Sequence, residues 1–275
     1  MHLFLSPHLD DIVLSCGGLI VELLQQGERV EVMTFFAADA PKPLPDSPLI
    51  DNIHQRWGLG DNPFLERREE DKRAFQALGS VKPHFGDWQD CIYRLGKSGQ
   101  PLYVTDDHIF GTIHPEDPLR STDIDLTLWQ DELTHLYIPL GAGNHVDHQL
   151  LRQKANMWIE KVSTTVAVFW YEEYPYSSEA GEVNVSHSGE EARLSGVTAV
   201  KTALSWSPFD VVSQVYAISE DALHAKIEAI KCHYSQISTF WHSDHELAES
   251  VLNYARSVGQ SSGVMYGERL WKIKT

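Results

Sequence analysis

Two short clusters hold the side chains that could do chemistry. The segment SPHLDD sets His8, Asp10 and Asp11 within four positions, and NHVDH sets His145, Asp147 and His148 within another four. Imidazoles and carboxylates are the ligands of a divalent cation that must stay reactive. A catalytic zinc takes three such side chains and leaves a position open for water. His8, one of the two aspartates and one of the two histidines at 145 and 148 would make such a set. The leftover carboxylate could take the proton of the attacking water, and the leftover histidine could steady an oxyanion. Hydrolysis of an amide or ester carbonyl suits this machinery. Spacing alone does not say which of the adjacent aspartates is ligand and which is base.

The flanking residues indicate how these groups are positioned. A strand over His2 to Ser6 ends at Pro7, which has no ladder hydrogen bond to donate, and a helix follows over Ile12 to Gln26 with Gly27 as its stop. A second apolar strand, Leu136 to Leu140, ends in a glycine-containing turn before a helix over 146–161. In open α/β sheets ligands bind at the carboxyl ends of the strands, and a helix N-terminus favours carboxylates. One helix-starting aspartate is explained as an N-cap. Two strand ends that each carry a His/Asp cluster are not, and one parallel sheet can set them side by side.

The remaining elements alternate in the same way. Val30 to Ala38 reads as a buried strand of the parallel-sheet type, and 39–62 as a long Pro-, Asp- and Gly-rich connection that could act as a substrate lid. FLERREEDKRAFQALG, ending at Gly79, is helical, and HFGDW after it is extended. Residues 90–120 read as loop and Asp123 to Thr134 as a helix. TTVAVFWYEE is a strand, 174–196 is irregular, and VVSQVYAI is a late strand. Helices follow at Glu220 to Tyr234 and near 246–257, and ERLWKIK alternates like an edge strand. Cys16, Gly17 and Gly18 interrupt good helix formers, which points to close packing there. The pattern predicts an α/β fold, a three-layer α/β/α sandwich on a mostly parallel, Rossmann-like sheet, with one domain over 1–275.

At 275 residues, 42% hydrophobic and 22% charged, the composition is that of a globular chain with a substantial core. A formal net charge of −17 argues against nucleic-acid and anionic-membrane partners, which need a basic surface. Cys16, Cys91 and Cys232 are too few and too scattered for a disulfide framework or a cysteine zinc site. The opening apolar run is too short for a signal sequence, and no stretch reaches the length of a membrane span. The expectation is a cytoplasmic protein. WHSDHEL repeats the cluster spelling at His242, Asp244 and His245, but Ser243 and Glu246 form a capping box, so this segment reads as structural. Asp106, Asp107 and His108 have no second half and read as surface.

SPHLDD and HVDH resemble the two signatures of the PIG-L/LmbE-like zinc deacetylases, which act on N-acetylglucosamine-type substrates. The resemblance implies that His8, Asp11 and His148 are zinc ligands and Asp10 the general base. It makes His145 the residue that stabilises the oxyanion and protonates the leaving amine, with Asp147 orienting it. RREEDKRAFQALG is similar to a family helix that begins with a substrate-binding arginine, here Arg67 with Glu70 beside it, and Asp90 matches a substrate-contacting aspartate. YEEYPY, AIKCHYSQ and GERLWKI also resemble family blocks, while HQRWGLG and DCIYR resemble a bacterial subgroup. The chain departs from the pattern at Gly143, where some members carry a tyrosine that assists the oxyanion, and at Leu9 and Val146, where proline is usual.

These readings predict a zinc-dependent deacetylase of an N-acetylated sugar or glycoconjugate, with Arg67, Asp90 and Arg94 contacting substrate. Fe²⁺ or another divalent ion can fill the same donor set, and self-association into a homo-oligomer is left open. An ordinary surface or core role is the competing explanation for Arg67, Arg94, Trp57 and Trp88, and Glu70 reads as solvated or helix-supporting. Two other functions share the fold: an amidase on a non-sugar N-acyl substrate, and a non-catalytic Rossmann-like sugar- or nucleotide-binding protein. The second lacks a G-x-G-x-x-G after strand 1.

Overall fold

The computed structural model describes residues 1–162, 166–178 and 196–274. Strands β1 (His2–Ser6), β2 (Val30–Thr34), β3 (Lys82–Phe85), β4 (His135–Pro139), β5 (Ala167–Tyr171), β6 (Val211–Ala217) and β7 (Gly267–Ile273) form a sheet in the order β3-β2-β1-β4-β5-β7-β6. The pairs from β3 to β5 are parallel, and β7 pairs antiparallel with both β5 and β6. Side chains along the central strands alternate between two cores. Leu3, Leu5, Leu136, Ile138, Val168 and Trp170 enter one, while Phe4, Tyr137, Phe169 and Tyr171 enter the other.

Helices α1 (Asp11–Gln25), α3 (Pro63–Leu78), α7 (Glu220–Lys231) and α9 (Asp244–Gln260) cover the second face. The first is covered by α2 (Pro48–Trp57), α5 (Val146–Lys161), α6 (Gly196–Ser205) and the segment that contains the one-turn helix α4 (Asp106–Ile109). Helix α8 (Tyr234–Phe240) follows α7 at the rim. The architecture is the expected three-layer sandwich on a mostly parallel sheet.

The glycines of α1 have the packing reason their positions suggested. A Cβ on Gly17 would lie 2.9 Å from Lys226 Cγ, and one on Gly18 would lie 2.7 Å from Ile218 Cδ1. Glu268 of β7 accepts hydrogen bonds from the N–H groups of Gly18 (3.0 Å) and Leu19 (2.8 Å) and pairs with Lys226 Nζ at 2.7 Å. These contacts fix α1, whose first turn carries the SPHLDD carboxylates.

Four local expectations change. Residues 123–134 are turns rather than a helix, because Asp125 accepts from both the N–H and the hydroxyl of Thr127 (2.9 and 2.6 Å). Such a local bond competes with helix formation. ERLWKIK is not an edge strand: β7 lies between β5 and β6. Alternation reports one buried face and says nothing of neighbours. The 39–62 connection contains helix α2, and the helix expected over 220–234 stops at Lys231, before α8. Residues 164 and 165 of the expected strand at 164–173, and 179–195 of the irregular stretch at 174–196, lie outside the described residues.

Candidate active site

Sheet order reverses at β1, the first strand, which has β2 on one side and β4 on the other. This is the topological switch point, where doubly wound sheets open a crevice. β1 and β4 are parallel neighbours, with His2 opposite His135 and Phe4 opposite Tyr137. Both clusters therefore leave the sheet at the same edge.

After β1 the Ser6 hydroxyl donates to the His8 carbonyl (2.8 Å), and the Asp10 N–H donates to the same oxygen (3.1 Å). Asp10 takes φ 155° and ψ −35°, a conformation that costs an L-residue on the order of 1–3 kcal/mol and persists at sites whose surroundings enforce it. After β4 the chain turns through Gly141 (φ 88°), Gly143 (φ 83°) and Asn144 (φ 64°). The N–H groups of Gly141 and Ala142 donate to the Glu173 carboxylate (2.6 and 3.0 Å), and the Asn144 amide donates to the carbonyls of Phe110 and Gly111 (both 2.8 Å). His145 then caps α5, its Nδ1 accepting from the Asp147 N–H at 3.2 Å.

This folding brings three donor atoms together. His8 Nδ1 and Asp11 Oδ2 are 3.2 Å apart, His148 Nε2 and Asp11 Oδ2 3.2 Å, and His148 Nε2 and His8 Nδ1 3.3 Å. Behind each ring stands a carboxylate: Asp147 Oδ2 lies 3.1 Å from His8 Nε2, and Glu173 Oε1 lies 3.3 Å from His148 Nδ1. Burial lowers both imidazoles, but the neighbouring carboxylates outweigh it and raise His8 well above its usual value and His148 to about 9. With an ion bound, the carboxylates behind the rings would keep a proton on each rear nitrogen and leave the front nitrogens to coordinate, the pattern that supports metal-binding histidines. Ligands set tetrahedrally about an ion at 2.0–2.1 Å stand about 3.3–3.4 Å apart. The donor set and its spacing fit a divalent cation. His145 is close by: one ring nitrogen of each of His8, His145 and His148 lies within 4.8 Å of the others.

Electrostatics separate the two adjacent aspartates. Burial pushes both carboxyls up; His148 and His8 reverse this at Asp11 and hold it well below the usual carboxylate range. Asp10 stays raised, to about 6, chiefly by burial and with Asp11 adding to it, although Arg67 opposes. Burial, reinforced by His8, holds the His145 imidazole well below its usual value. With Nδ1 accepting from a backbone N–H, the neutral ring carries its proton on Nε2.

A cavity opens over the triad, lined among others by Asp10, Arg67, Asp90 and His145. Arg67 Nη2 is 3.6 Å from Asp10 Oδ2, with its guanidinium over the Trp57 ring at 4.8 Å. Asp90 accepts from the Ile92 N–H (3.1 Å), and its Oδ2 lies 3.8 Å from His8 Nε2. Arg94, expected at the substrate, is buried behind the wall, where it pairs with Asp117 at 3.0 Å and Asp147 at 2.5 Å. The Asp147 carboxylate also departs from the role the resemblance implies. It serves His8, the Cys91 N–H (3.0 Å) and Arg94, whereas only its backbone meets His145. Glu70 is fully buried and supports a helix other than its own, accepting from the N–H (2.8 Å) and hydroxyl (2.7 Å) of Ser235 in α8.

Sequence reasoning missed Glu173 and Tyr176, although both stand in the quoted YEEYPY block. The Tyr176 ring fills the space over Gly143, where a Cβ would come within 2.5 Å of its Cγ, and it lines the cavity. A side chain at position 143 and the present Tyr176 exclude each other. Asp106, read as surface, also lines the cavity, whereas Ser243 caps α9 as expected by accepting from the Glu246 N–H at 3.2 Å.

A doubly wound α/β sheet with this donor set at its switch point suits metal-assisted hydrolysis, and comparison with known proteins gives the class. The family model for PIG-L, GlcNAc-PI de-N-acetylase, matches residues 3–159, and the chain belongs to that family. It is 30% identical over 193 residues to the 2'-N-acetylparomamine deacetylase of Niallia circulans, covering 66% of this chain and 69% of that one. A Mycobacterium sp. (strain KMS) 1D-myo-inositol 2-acetamido-2-deoxy-alpha-D-glucopyranoside deacetylase is 24% identical over 251 residues, 86% of this chain and 74% of the relative. The crystal structure of the zinc inhibited form of teicoplanin deacetylase Orf2 superposes with a TM-score of 0.75 at 26% identity, covering 98% and 96% of the two chains. The chain is an N-deacetylase. Among the described residues no helix is long and apolar enough to cross a membrane.

Proposed function

We propose that the chain removes the acetyl group from an N-acetylglucosamine-type sugar or glycoconjugate, with a divalent ion, zinc in the first instance, held by His8, Asp11 and His148. The observation that carries this reading is the inward-turned triad with the strained Asp10 beside it in the cavity. The deacetylase relatives, whose names specify acetamido sugars, support the substrate class. When bound, the ion would polarise the amide carbonyl and the attacking water.

Asp10 takes a proton from that water as the oxygen attacks the acetyl carbon. It then returns the proton to the sugar nitrogen as the C–N bond breaks, giving acetate and the free amine. Arg67 holds the Asp10 carboxylate toward the cavity. Neutral His145 donates its Nε2–H to the carbonyl oxygen as negative charge develops there. This divides the work differently from the resemblance, which gives the leaving-group proton to His145. Asp90 and Arg67 are placed to contact the sugar, and Arg94 acts through Asp147. The unpaired Cys16, Cys91 and Cys232 support a reducing, cytoplasmic setting.

The test is amine release from a panel of N-acetylated sugars, using metal-stripped protein and the same protein reloaded with zinc or Fe²⁺. Metal-dependent release is expected. Turnover confined to non-sugar N-acyl amides would replace this reading with the amidase.

A further inference from the structure

Asp10 has a strained backbone, yet its side chain is loosely anchored. Among the described residues no group donates a hydrogen bond to its carboxylate. Arg67 Nη2, at 3.6 Å, is an ion-pair partner beyond hydrogen-bond length. A small chamber, with room for about one water molecule, adjoins the cavity at Asp10. Leu14, Phe240 and Trp241 give it apolar walls, and its polar lining is Asp10, His233 and Gln236.

His233 stands at the corner between α7 and α8. Its N–H donates to the Ile230 carbonyl (3.0 Å), and its carbonyl accepts from the Gln236 N–H (2.9 Å). Its Nε2 lies 3.1 Å from Asp71 Oδ1, and both side chains are buried. Nδ1 is buried too and meets no partner, the one histidine nitrogen in that state among the described residues. The ring is within electrostatic reach of the Asp10 carboxylate. Arg67 and Asp71 are i, i+4 on α3, so one face of that helix serves both Asp10 and the ring beside it. A tie between α3 and α8 is already made by Glu70, which takes two hydrogen bonds from Ser235. A further tie through Asp71 would leave Nδ1 unexplained, and a buried polar atom without a partner is unfavourable. A water in the chamber would meet Nδ1 as donor or as acceptor and donate to Asp10 in either case.

We propose that His233 is a positioning residue for the general base. Asp71 fixes its ring, and Nδ1, through one water in the small chamber, keeps the Asp10 carboxylate aimed at the attacking water. The AIKCHYSQ segment thereby serves the reaction from outside both His/Asp clusters. The assignment rests on Asp10 being the base of the proposed deacetylation.

A crystal structure of the zinc-loaded protein reads the geometry without turnover. One water within about 3.2 Å of both Nδ1 and an Asp10 oxygen is expected, and a chamber without such a water overturns the proposal. Kinetics separate positioning from a structural tie, with amine release from N,N'-diacetylchitobiose measured per bound zinc. A glutamine at 233 reaches Asp71 but places no atom at Nδ1, and an asparagine does the reverse. His233→Gln should lower kcat about tenfold to a hundredfold, with little change in KM or zinc content. His233→Asn should melt lower, because Asp71 loses its partner, but recover most of the rate. The reverse order, or full activity in both, makes the ring a structural tie and overturns the proposal. If both variants lose rate, the Asp10→Asn background decides. A His233→Gln loss that disappears there supports action through Asp10, and the same fold-loss in both backgrounds overturns it. Full turnover by Asp10→Asn would remove the base and this assignment with it, an outcome distinct from a silent His233. If the sugar is not turned over at all, the water in the crystal structure decides alone.

Discussion

Replacing Asp147 by Asn tests the site where geometry and family resemblance part. The carboxylate is fully buried, with Oδ2 3.1 Å from His8 Nε2 and 3.0 Å from the Cys91 nitrogen, and Oδ1 2.5 Å from Arg94. Asparagine keeps the shape and can still accept from Cys91, but the charge behind His8 is gone. Outer carboxylates of this kind are worth about 10–100-fold in metal affinity, or about 1.4–2.7 kcal/mol at 1.36 kcal/mol per tenfold. Arg94 keeps Asp117 at 3.0 Å. The loss of stability should therefore fall below the roughly 3–5 kcal/mol of breaking an isolated buried pair. Zinc affinity is read by competition with a chromophoric chelator, beside thermal melts of the metal-free proteins. The expected result is weaker zinc binding by one to two orders of magnitude in a folded variant. Wild-type zinc affinity with turnover lost would refute the reasoning and return Asp147 to orienting His145.

The other predictions address single features. Asp10→Asn should retain bound metal and lose on the order of 10²–10⁴ in rate, whereas Asp11→Ala should lose the metal as well; elemental analysis beside turnover separates them, and the reverse pattern exchanges the two roles. Gly143→Ala places a Cβ 2.5 Å from Tyr176 Cγ at φ 83°, so a destabilisation of about 1–3 kcal/mol is expected, and an unchanged melting temperature would show that Tyr176 does not rest there. Glu31 gives an acid-stability prediction: burial would raise its carboxyl, but hydrogen bonds from Trp129, Arg29 and His84 hold it at about 2, below the ordinary 4.5. Its folded value is depressed, so its contribution is complete above about pH 4.5 and is lost as pH falls toward 2, on the order of 3 kcal/mol in all. Glu31→Gln should flatten denaturant-measured stability across that window, and a slope equal to wild type would remove Glu31 from the account.

Much of this was legible in the chain because local rules and tertiary structure agreed. Pro7 and the Gly141–Gly143 turn mark where two strands must end, and continuous apolar runs mark strands buried on both faces. Those signals suffice to put both His/Asp clusters at one sheet edge. The expected helix at 123–134 failed for a local reason, the Asp125–Thr127 bond. Arg94 failed for a distant one. An arginine in a loop-like stretch near the site reads as a substrate contact until Asp117 and Asp147 are seen to enclose it. Asp106 is the converse, since only the cavity shows what a surface-like Asp-Asp-His faces.

The Asp147 geometry shows how backbone can redirect a side chain whose spacing looks decisive. His145 and Asp147 are two residues apart, which invites a His–carboxylate pair. His145, however, is the N-cap of α5, and the first free N–H groups of a helix must be met by a capping acceptor. The Asp147 N–H takes His145 Nδ1 for that purpose. The nitrogen a carboxylate would need is then occupied, and the Asp147 carboxylate turns to His8 on the neighbouring strand end. Asp147 thus meets both histidines, its backbone N–H capped by His145 and its side chain standing behind His8. This predicts that a substitution keeping the cap but changing the charge acts first on the ion held through His8, and only through it on turnover.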